Sequence, residues 1–273
     1  MRRRDVLIGA GALLATRPAQ ACPSPPSFFE TSELEVFLPI DAAHDGVRIA
    51  QLSDVHLGPS TPPERVRAAV AAINAAEVDL VALTGDLVTR SRRPVSLISE
   101  LLSGIETPAF AVLGNHDHWV DAAGVTRELE RAGFEVLHNQ NTRITMRGVQ
   151  LTVVGVDDGY TRHEDVAASF HGAARSGTRL VLAHTPSTAD RLPPAVGVLC
   201  LSGHTHGGQV VIPGITQSLL RATGEPYMRG PYLVGGNTLY VSRGLGFGAG
   251  GVSLRLGAEP ELSFFTLRRA HEA

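Results

Sequence analysis

Five short apolar runs of the chain each end in polar side chains that can bind a metal ion. Seven such side chains carry a carboxylate, amide or imidazole group: Asp54, His56, Asp86, Asn115, His184, His204 and His206. This mixture of oxygen and nitrogen ligands suits Mn, Fe, Zn or Co better than Mg or Ca. Seven ligands are too many for one site with an open position, but they divide between two sites if one carboxylate bridges. Two ions about 3.5 to 4 Å apart form the clamp used for in-line displacement at phosphorus.

The elements that must position these ligands are short strands rich in Val and Leu. The runs cover residues 47–52, 79–84, 109–113, 179–183 and 198–201. Helical patterns at 62–77, 95–102 and 121–132 separate the early strands, with Asp121 as N-cap and Gly133 as C-cap of the last. Alternating strands and helices predict a parallel sheet, in which functional residues gather at the carboxyl ends of the strands. We therefore expect the five clusters to meet at one edge.

The second half of the chain has a different pattern, with many strands and few helices. Strand patterns occur at 143–146, 149–156, 209–212, 239–242, 252–256 and 261–267, and an opening strand is expected near 33–38. Two sheets stacked face to face, with helices outside, accommodate both halves in one domain.

The composition excludes several chemistries, because all 24 basic residues are arginine and the chain has no lysine. A P-loop lysine, a Schiff base and a kinase-type lysine are therefore absent. The net charge is −3, and without residues 1–21, which hold four arginines and one aspartate, 20 basic residues face 26 acidic ones. This acidic body argues against a nucleic-acid-binding surface.

Residues 1–21 are typical of a secretory signal: a charged start, a short apolar run and an Ala-x-Ala ending. The pair Arg3 and Arg4 resembles a twin-arginine motif, which predicts the twin-arginine export machinery as a partner and a periplasmic or outer-face location. A membrane anchor formed by an uncleaved segment is the alternative, as is a basic extension without a targeting role. Cys22, in a linker at 22–31, is open to lipidation, whereas Cys200 is expected to be a small buried hydrophobe.

Four motifs make the chain similar to the calcineurin-like metallophosphoesterase superfamily. They are Ser-Asp-Val-His-Leu-Gly at 53–58, Gly-Asn-His-Asp at 114–117, Gly-His-Thr-His-Gly-Gly-Gln at 203–209 and Tyr-Val-Ser-Arg-Gly-Leu-Gly at 240–246. They resemble the bacterial phosphodiesterase branch with twin-arginine signals, whose relatives extend to UDP-diacylglucosamine pyrophosphatases. The resemblance implies an α/β fold, a four-layer α/β/β/α sandwich of two stacked mixed sheets, as a single domain over residues 32–273.

The resemblance also implies a binuclear phosphodiesterase mechanism. Its ligand division gives the first ion Asp54, His56 and His206, the second Asn115, His184 and His204, and makes Asp86 the bridge. A hydroxide between the ions attacks phosphorus, and His116 contacts the substrate and protonates the leaving oxygen. Asp117 is expected to support the loop. The implied substrate is a small-molecule or lipid-linked phosphoester.

One departure from family patterns narrows the function. Protein Ser/Thr phosphatases carry a second aspartate where this chain has Gly-Asp-Leu-Val-Thr-Arg-Ser at 85–91, which argues against protein phosphatase activity and leaves open what orients His116. His118 and the pair Asp157 and Asp158 are candidates for the cleft lining, although loop or turn roles fit them equally.

Three arginines remain as candidate cations for a second phosphate or a nucleotide: Arg221, Arg229 and Arg243. Alternative functions are a nucleotide lipid pyrophosphatase, a phosphomonoesterase and a metal-binding protein without turnover. The intact ligand set and His116 argue against the last.

Overall fold

The computed structural model describes residues 14–16, 28–194, 197–248 and 254–270, and for 14–16 only the backbone. Most of the predicted export signal, and Cys22, lie outside these residues. Helices are α1 Pro63–Ala75, α2 Leu97–Leu102, α3 Asn115–Arg131, α4 Val166–Phe170 and α5 Thr216–Ala222. Strands are β1 Leu14–Thr16, β2 Glu30–Leu38, β3 Arg48–Leu52, β4 Leu80–Thr84, β5 Ala109–Val112, β6 Phe134–Val136, β7 Gln140–Met146, β8 Val149–Val156, β9 Thr178–Ala183, β10 Leu199–Ser202, β11 Gly230–Val234, β12 Asn237–Val241 and β13 Glu261–Arg269.

The strands form two mixed sheets. The first has the order β1-β2-β13-β3-β4-β5-β6 and the second β11-β12-β10-β9-β8-β7. Strands β3 to β6 are parallel, as are β8, β9, β10 and β12. In each sheet the parallel strands therefore deliver their carboxyl ends to one edge.

Three apolar clusters hold the layers together. Ile49 and Phe110 of the first sheet pack with Leu182 and Leu201 of the second, which forms the core between the sheets. Helices α1 to α3 cover the other face of the first sheet. A third cluster covers the outer face of the second sheet with α4 and the 3-10 helix Pro186–Arg191. The predicted fold class, two stacked mixed sheets with flanking helices, is confirmed.

Helix α3 begins six residues before the predicted start. Asp121 interrupts it with φ −172° and ψ 73°, and the Asp121 carboxylate accepts a hydrogen bond from the Gly124 N–H at 3.1 Å. Asp121 thus caps the second part of the helix, whereas the first turn carries no apolar periodicity that would predict it.

The prediction of a strand at 209–212 is wrong. Residues His206–Gly208 form a 3-10 helix, and the φ values of His206, Gly207, Gly208 and Gln209 are all positive, so this stretch cannot extend. Val210 makes one isolated parallel bridge to Leu256. This bridge is the only part of the strand predicted at 252–256 that is seen in the described residues.

The N-terminal strands differ from the predicted domain boundaries. Strand β2 begins at Glu30, inside the predicted linker, and β1, inside the predicted signal, pairs antiparallel with β2. Over the residues described, no helix has the length and apolarity needed to cross a membrane.

Candidate metal centre

Asp54, His56 and His206 lie together although 150 residues separate the two histidines. The His56 and His206 Nε2 atoms are 3.0 Å apart, and His206 Nε2 is 3.4 Å from Asp54 Oδ1. All three side chains are buried. Two strands from different sheets, β3 and β10, bring them to the same edge.

Asn115, His184 and His204 form a second group beside the first. Asn115 Oδ1 is 3.1 Å from His184 Nε2 and 2.9 Å from His204 Nδ1. Asp86 lies between the groups, with its Oδ2 atom 3.4 Å from His56 Nε2 and 3.3 Å from His184 Nε2. The structure thus brings all seven predicted ligands together.

The donor set fits transition-metal ions. Metal–nitrogen and metal–oxygen bonds of about 2.1 Å place neighbouring donors about 3.0 Å apart in an octahedron and about 3.4 Å apart in a tetrahedron. The quoted separations run from 2.9 to 3.4 Å. His184 Nδ1 also donates to the Thr84 carbonyl at 2.7 Å, which leaves its Nε2 lone pair for an ion.

Backbone strain is concentrated at these ligands. Five of the seven adopt positive φ values between 48° and 70°, a region that residues other than glycine seldom occupy: Asp54, His56, Asp86, His204 and His206. Such conformations cost about 1 to 3 kcal/mol each and persist only where the surrounding structure imposes them. The sharp turns aim successive side chains at a common point, which explains the Asp-x-His and His-x-His spacing.

Two glycines allow the ligand loops to approach each other. A Cβ on Gly114 would lie 2.3 Å from Asp86 Oδ1, and one on Gly203 would lie 2.1 Å from Asp54 Oδ2. Any side chain at these positions would displace a ligand. The glycines that precede Asn115 and His204 are therefore required by space.

A buried polar chain behind Asp54 orients its carboxylate. Ser53 Oγ donates to Asp54 Oδ2 at 2.6 Å, and Thr84 Oγ1 donates to Ser53 Oγ at 2.7 Å. The Gln51 amide donates to Thr84 Oγ1 at 3.0 Å and to the Ser202 carbonyl of the other sheet at 2.9 Å. These hydrogen bonds tie the orientation of a ligand to the packing of the two sheets.

Asp117 organises the loop that carries Asp86. Its carboxylate accepts hydrogen bonds from the backbone N–H groups of Asp86 at 2.8 Å, Leu87 at 2.8 Å, Val88 at 3.3 Å and Gly114 at 3.0 Å. Both Asp117 oxygens are thereby used within the loop, which is the supporting role expected for it.

His116 lies against the first group, and its ring nitrogen, His56 and Asp86 offer donor atoms within 4.8 Å of one another. Its Nδ1 lies 2.5 Å from the Thr89 carbonyl oxygen. Because a carbonyl only accepts, Nδ1 carries a proton, which leaves Nε2 as the nitrogen available for chemistry. The backbone of Thr89 therefore orients His116 in place of the aspartate found in protein phosphatases.

Burial sets the protonation of the imidazole ligands. It lowers the pKa of His56 and of His204 to about 4, and that of His206 well below its usual value. Burial alone would also lower the pKa of His184, but the Asp86 carboxylate outweighs it and raises that pKa. At neutral pH the first three imidazoles are uncharged, and His56 and His204 each have a lone pair for a metal ion. The His206 Nδ1 lone pair accepts from Arg255, so His206 binds an ion through Nε2 with loss of the Nε2 proton.

Arg255 is a functional residue that sequence reasoning missed. It is 8% exposed, and its Nη2 donates to His206 Nδ1 at 2.9 Å, while Nη1 donates to the carbonyls of Arg243 at 2.7 Å and Ala258 at 3.0 Å. Burial lowers the pKa of Arg255 to about 10, so it remains charged. A lone arginine within an apolar run was the only available signal.

The three arginines predicted to contact substrate are not grouped with the ligands. Arg243 forms ion pairs with Glu30 at 2.9 Å and Glu261 at 3.4 Å. Arg229 donates to the Gly257 carbonyl, and Arg221 is exposed on α5. A substrate role for them stays a prediction.

His118 and the two aspartates after β8 have structural partners. His118 Nε2 lies 2.7 Å from Asp157 Oδ1, and both side chains are almost fully buried. Asp158 accepts hydrogen bonds from the Thr161 and Thr185 hydroxyls, each at 2.7 Å. His118 is thus held by an ion pair next to the centre.

The chain is similar to known metallophosphoesterases. A family model, calcineurin-like phosphoesterase, matches residues 47–208. The uncharacterized metallophosphoesterase YkuE of Bacillus subtilis is 30% identical over 89% of this chain and 87% of its own length. Phosphodiesterase YaeI of Escherichia coli is 30% identical over 81% of this chain and 82% of its own length.

Two further relatives are longer than this chain or distant from it. A transmembrane protein with metallophosphoesterase domain from Bos taurus is 30% identical over 83% of this chain, which spans 54% of that relative. The solved 5'-nucleotidase precursor of Thermus thermophilus shares the fold, with a TM-score of 0.50 at 15% identity over 82% of this chain and 54% of that one. The chain belongs to the calcineurin-like phosphoesterase family, and it is a metal-dependent phosphoester hydrolase.

Proposed function

We propose that the protein is a binuclear phosphodiesterase. The observation that carries the proposal is the position of Asp86 Oδ2, 3.4 Å from a nitrogen of one ligand group and 3.3 Å from a nitrogen of the other. Asp54, His56 and His206 would hold one ion, Asn115, His184 and His204 would hold the other, and Asp86 would be shared between them. This assignment uses every one of the seven ligands.

His116 and the buried carboxylates would assist the hydrolysis. Two bound divalent ions supply positive charge to the phosphate oxygens and make a water molecule more acidic. In its doubly protonated form His116 keeps its Nδ1–H on the Thr89 carbonyl, delivers its Nε2 proton to the leaving oxygen and becomes a neutral imidazole. Asp54 and Asp86 are buried, and a low local dielectric strengthens the electrostatic contacts of their carboxylates with bound cations.

The charge around the centre favours a diester over a monoester. Arg243 is neutralised by Glu30 and Glu261, and Arg255 is occupied by His206 and backbone carbonyls. Neither guanidinium is placed to meet the second negative charge of a phosphate monoester. A diester carries a single charge, and the name of the relative YaeI as a phosphodiesterase supports the same class.

The function is tested with the Mn²⁺-loaded protein. Bis(p-nitrophenyl) phosphate should be hydrolysed at least tenfold faster, by kcat/KM, than p-nitrophenyl phosphate, and the reverse preference would identify a monoesterase. Asp86→Asn should lose metal pairing and turnover together, because an amide has one oxygen and no charge. His116→Ala should keep its metal content while kcat falls by about 10²- to 10⁴-fold. A fully active Asp86→Asn protein would refute the bridge.

We also propose export through the twin-arginine route, supported by the charged and apolar segments of residues 1–21. The prediction is that Arg3→Lys with Arg4→Lys leaves the protein in the cytoplasm, as measured by cell fractionation with activity as the marker. Unchanged export of the double variant would contradict the route. Recovery of the wild type from the membrane fraction after export would identify the uncleaved anchor instead.

A second candidate function is the hydrolysis of a nucleotide diphosphate lipid. The observation that favours it is a cavity of about 640 Å³ beside Thr89, with an apolar wall and two cations at its rim. The residues concerned are Leu57, Pro59, Pro94, Leu97, Arg90 and Arg93. The test is turnover of UDP-diacylglucosamine in detergent, and a rate below that for bis(p-nitrophenyl) phosphate would exclude it.

A further inference from the structure

Two exposed aromatic side chains lie next to residues of the candidate metal centre. Trp119 is 58% exposed and Tyr160 is 57% exposed. The Trp119 ring lies 4.9 Å from the His116 ring, the Tyr160 ring lies 4.9 Å from the His204 ring, and the two aromatic rings are 5.9 Å apart. The two aromatic rings therefore form a continuous surface from His116, the proposed proton donor, to His204, a proposed ligand of the second ion.

Both residues are held in place by elements that also carry the site. Trp119 follows His116 by three residues in the first turns of α3, so the two side chains share one helix face. Tyr160 lies in the loop after β8, at the same sheet edge as the ligands, and its backbone N–H donates to Thr185 Oγ1 at 3.2 Å. Large apolar rings held in water beside a reaction centre are positioned to contact what enters it.

The surface next to Tyr160 is polar. A cavity of about 500 Å³ extends from His204 to α5, and its wall includes Thr185, Ser187 and Glu225. The Glu225 carboxylate is 7% exposed and accepts from the Ser187 N–H at 3.1 Å. Hydroxyl, amide and carboxylate groups suit a ligand with hydroxyls and heteroatom edges, whereas an acyl chain would leave them unpaired.

We propose that Trp119 and Tyr160 form a stacking platform for a nucleobase, so that the substrate is a nucleoside phosphodiester. The platform is a flat, apolar surface on which the face of any nucleobase can stack. The polar cavity beside it would receive the ribose hydroxyls and the polar edge of the base. This inference rests on the proposed phosphodiesterase function and adds that one of the two groups esterified to the phosphate is a nucleoside.

The chain has a single tryptophan, so its fluorescence reports on position 119 alone. In the Mn²⁺-loaded protein, adenosine 5′-monophosphate should quench this fluorescence. By calorimetry it should bind at least tenfold more tightly than ribose 5-phosphate, which lacks the base. Equal affinities, or no binding of either compound, would overturn the inference.

The variants test the two rings directly. Trp119→Ala and Tyr160→Ala should each reduce the preference for adenosine 5′-monophosphate over ribose 5-phosphate by about five- to hundredfold, the range measured for removing one stacked ring. Trp119→Phe and Tyr160→Phe should retain most of it, since a ring remains. Leu233→Ala, which removes an equally exposed apolar side chain from β11, should leave the preference unchanged. A preference retained by both alanine variants would refute the platform.

Turnover of methyl p-nitrophenyl phosphate, a diester without a base, separates this inference from the proposed function. Hydrolysis of that compound without a preference for adenosine 5′-monophosphate would refute the platform alone. A clear preference without hydrolysis of any diester would support the platform and refute the phosphodiesterase assignment.

Discussion

Replacing Gly114 by alanine tests how closely the Asp86 and Asn115 loops must approach each other. An added Cβ would lie 2.3 Å from Asp86 Oδ1 and 2.6 Å from the Asp86 nitrogen. The Gly114 backbone has φ −108° and ψ 176°, which alanine adopts without strain, so the effect is steric alone. Because Cβ atoms come no closer than 3.0 Å to such neighbours, Asp86 must move by about 0.7 Å.

The displacement is large relative to what a metal site tolerates. Metal–ligand distances are held within about 0.2 Å, so a shift of about 0.7 Å removes Asp86 from at least one ion. We expect Gly114→Ala to lose at least half of its bound metal and about 100-fold in kcat, because ligand and substrate are misplaced by nearly 1 Å. Overpacking should also lower the free energy of unfolding by about 1 to 3 kcal/mol.

The assays are metal analysis after gel filtration, turnover of bis(p-nitrophenyl) phosphate in Mn²⁺ and urea unfolding. Gly104→Ala is the matched control, because its added Cβ would meet only Val70 Cγ1 at an ordinary 3.4 Å. It should keep its metal and its activity. A Gly114→Ala protein with full metal content and a kcat within twofold of the wild type would show that the loops are not held as the structure has them.

Three further predictions concern protonation and the partners of the ligands. Asp157 raises the pKa of His118 against the effect of burial, so their pair stabilises the fold at pH 5.5, and this contribution is lost as the pH rises through the raised pKa. Asp157→Asn should therefore cost about 1 to 3 kcal/mol of unfolding free energy at pH 5.5 and less at pH 9, and an equal cost at both would contradict the pair. Burial raises the pKa of Asp54 to about 6, so after chelation the apparent Kd for Mn²⁺ should rise at least about fivefold between pH 6 and pH 5, as measured by calorimetry; a constant Kd would be inconsistent with this. Arg255→Lys should weaken Mn²⁺ binding by about 10- to 100-fold through the lost bond to His206, and an unchanged Kd would show that the contact has no such effect.

The fold was predictable because its signals are local. Strands β4 and β9 are apolar runs bounded by turn residues. Asp86 and His184 lie one or two residues after these strands, and parallel pairing within each sheet explains why they reach the carboxyl-terminal edge. No such signal marked residues 206–209, where positive φ values follow from the geometry of the ligand loop. A Val-rich stretch there looked like a strand because β propensity depends on tertiary context.

The residues that support the ligands were harder to find. Arg255 contacts His206, and no spacing rule connects positions 49 residues apart. Thr89 acts through its carbonyl, which any residue would provide, so its identity carries no signal. Trp119 differs, since its spacing of three from His116 on a helix could have marked it.

The seven ligands come from both sheets, which explains why no single motif defines the site. Asp54, His56, Asp86 and Asn115 follow strands of the first sheet, and the other three ligands follow strands of the second. The two sets meet only where the sheets pack, and Gln51 joins the sheets at that place through Thr84 and Ser202. With lysine absent and Arg243 paired with Glu30 and Glu261, bound metal ions are the expected main source of positive charge at the reacting phosphorus. Binding those ions across the sheet interface therefore couples catalysis to the packing of the whole domain.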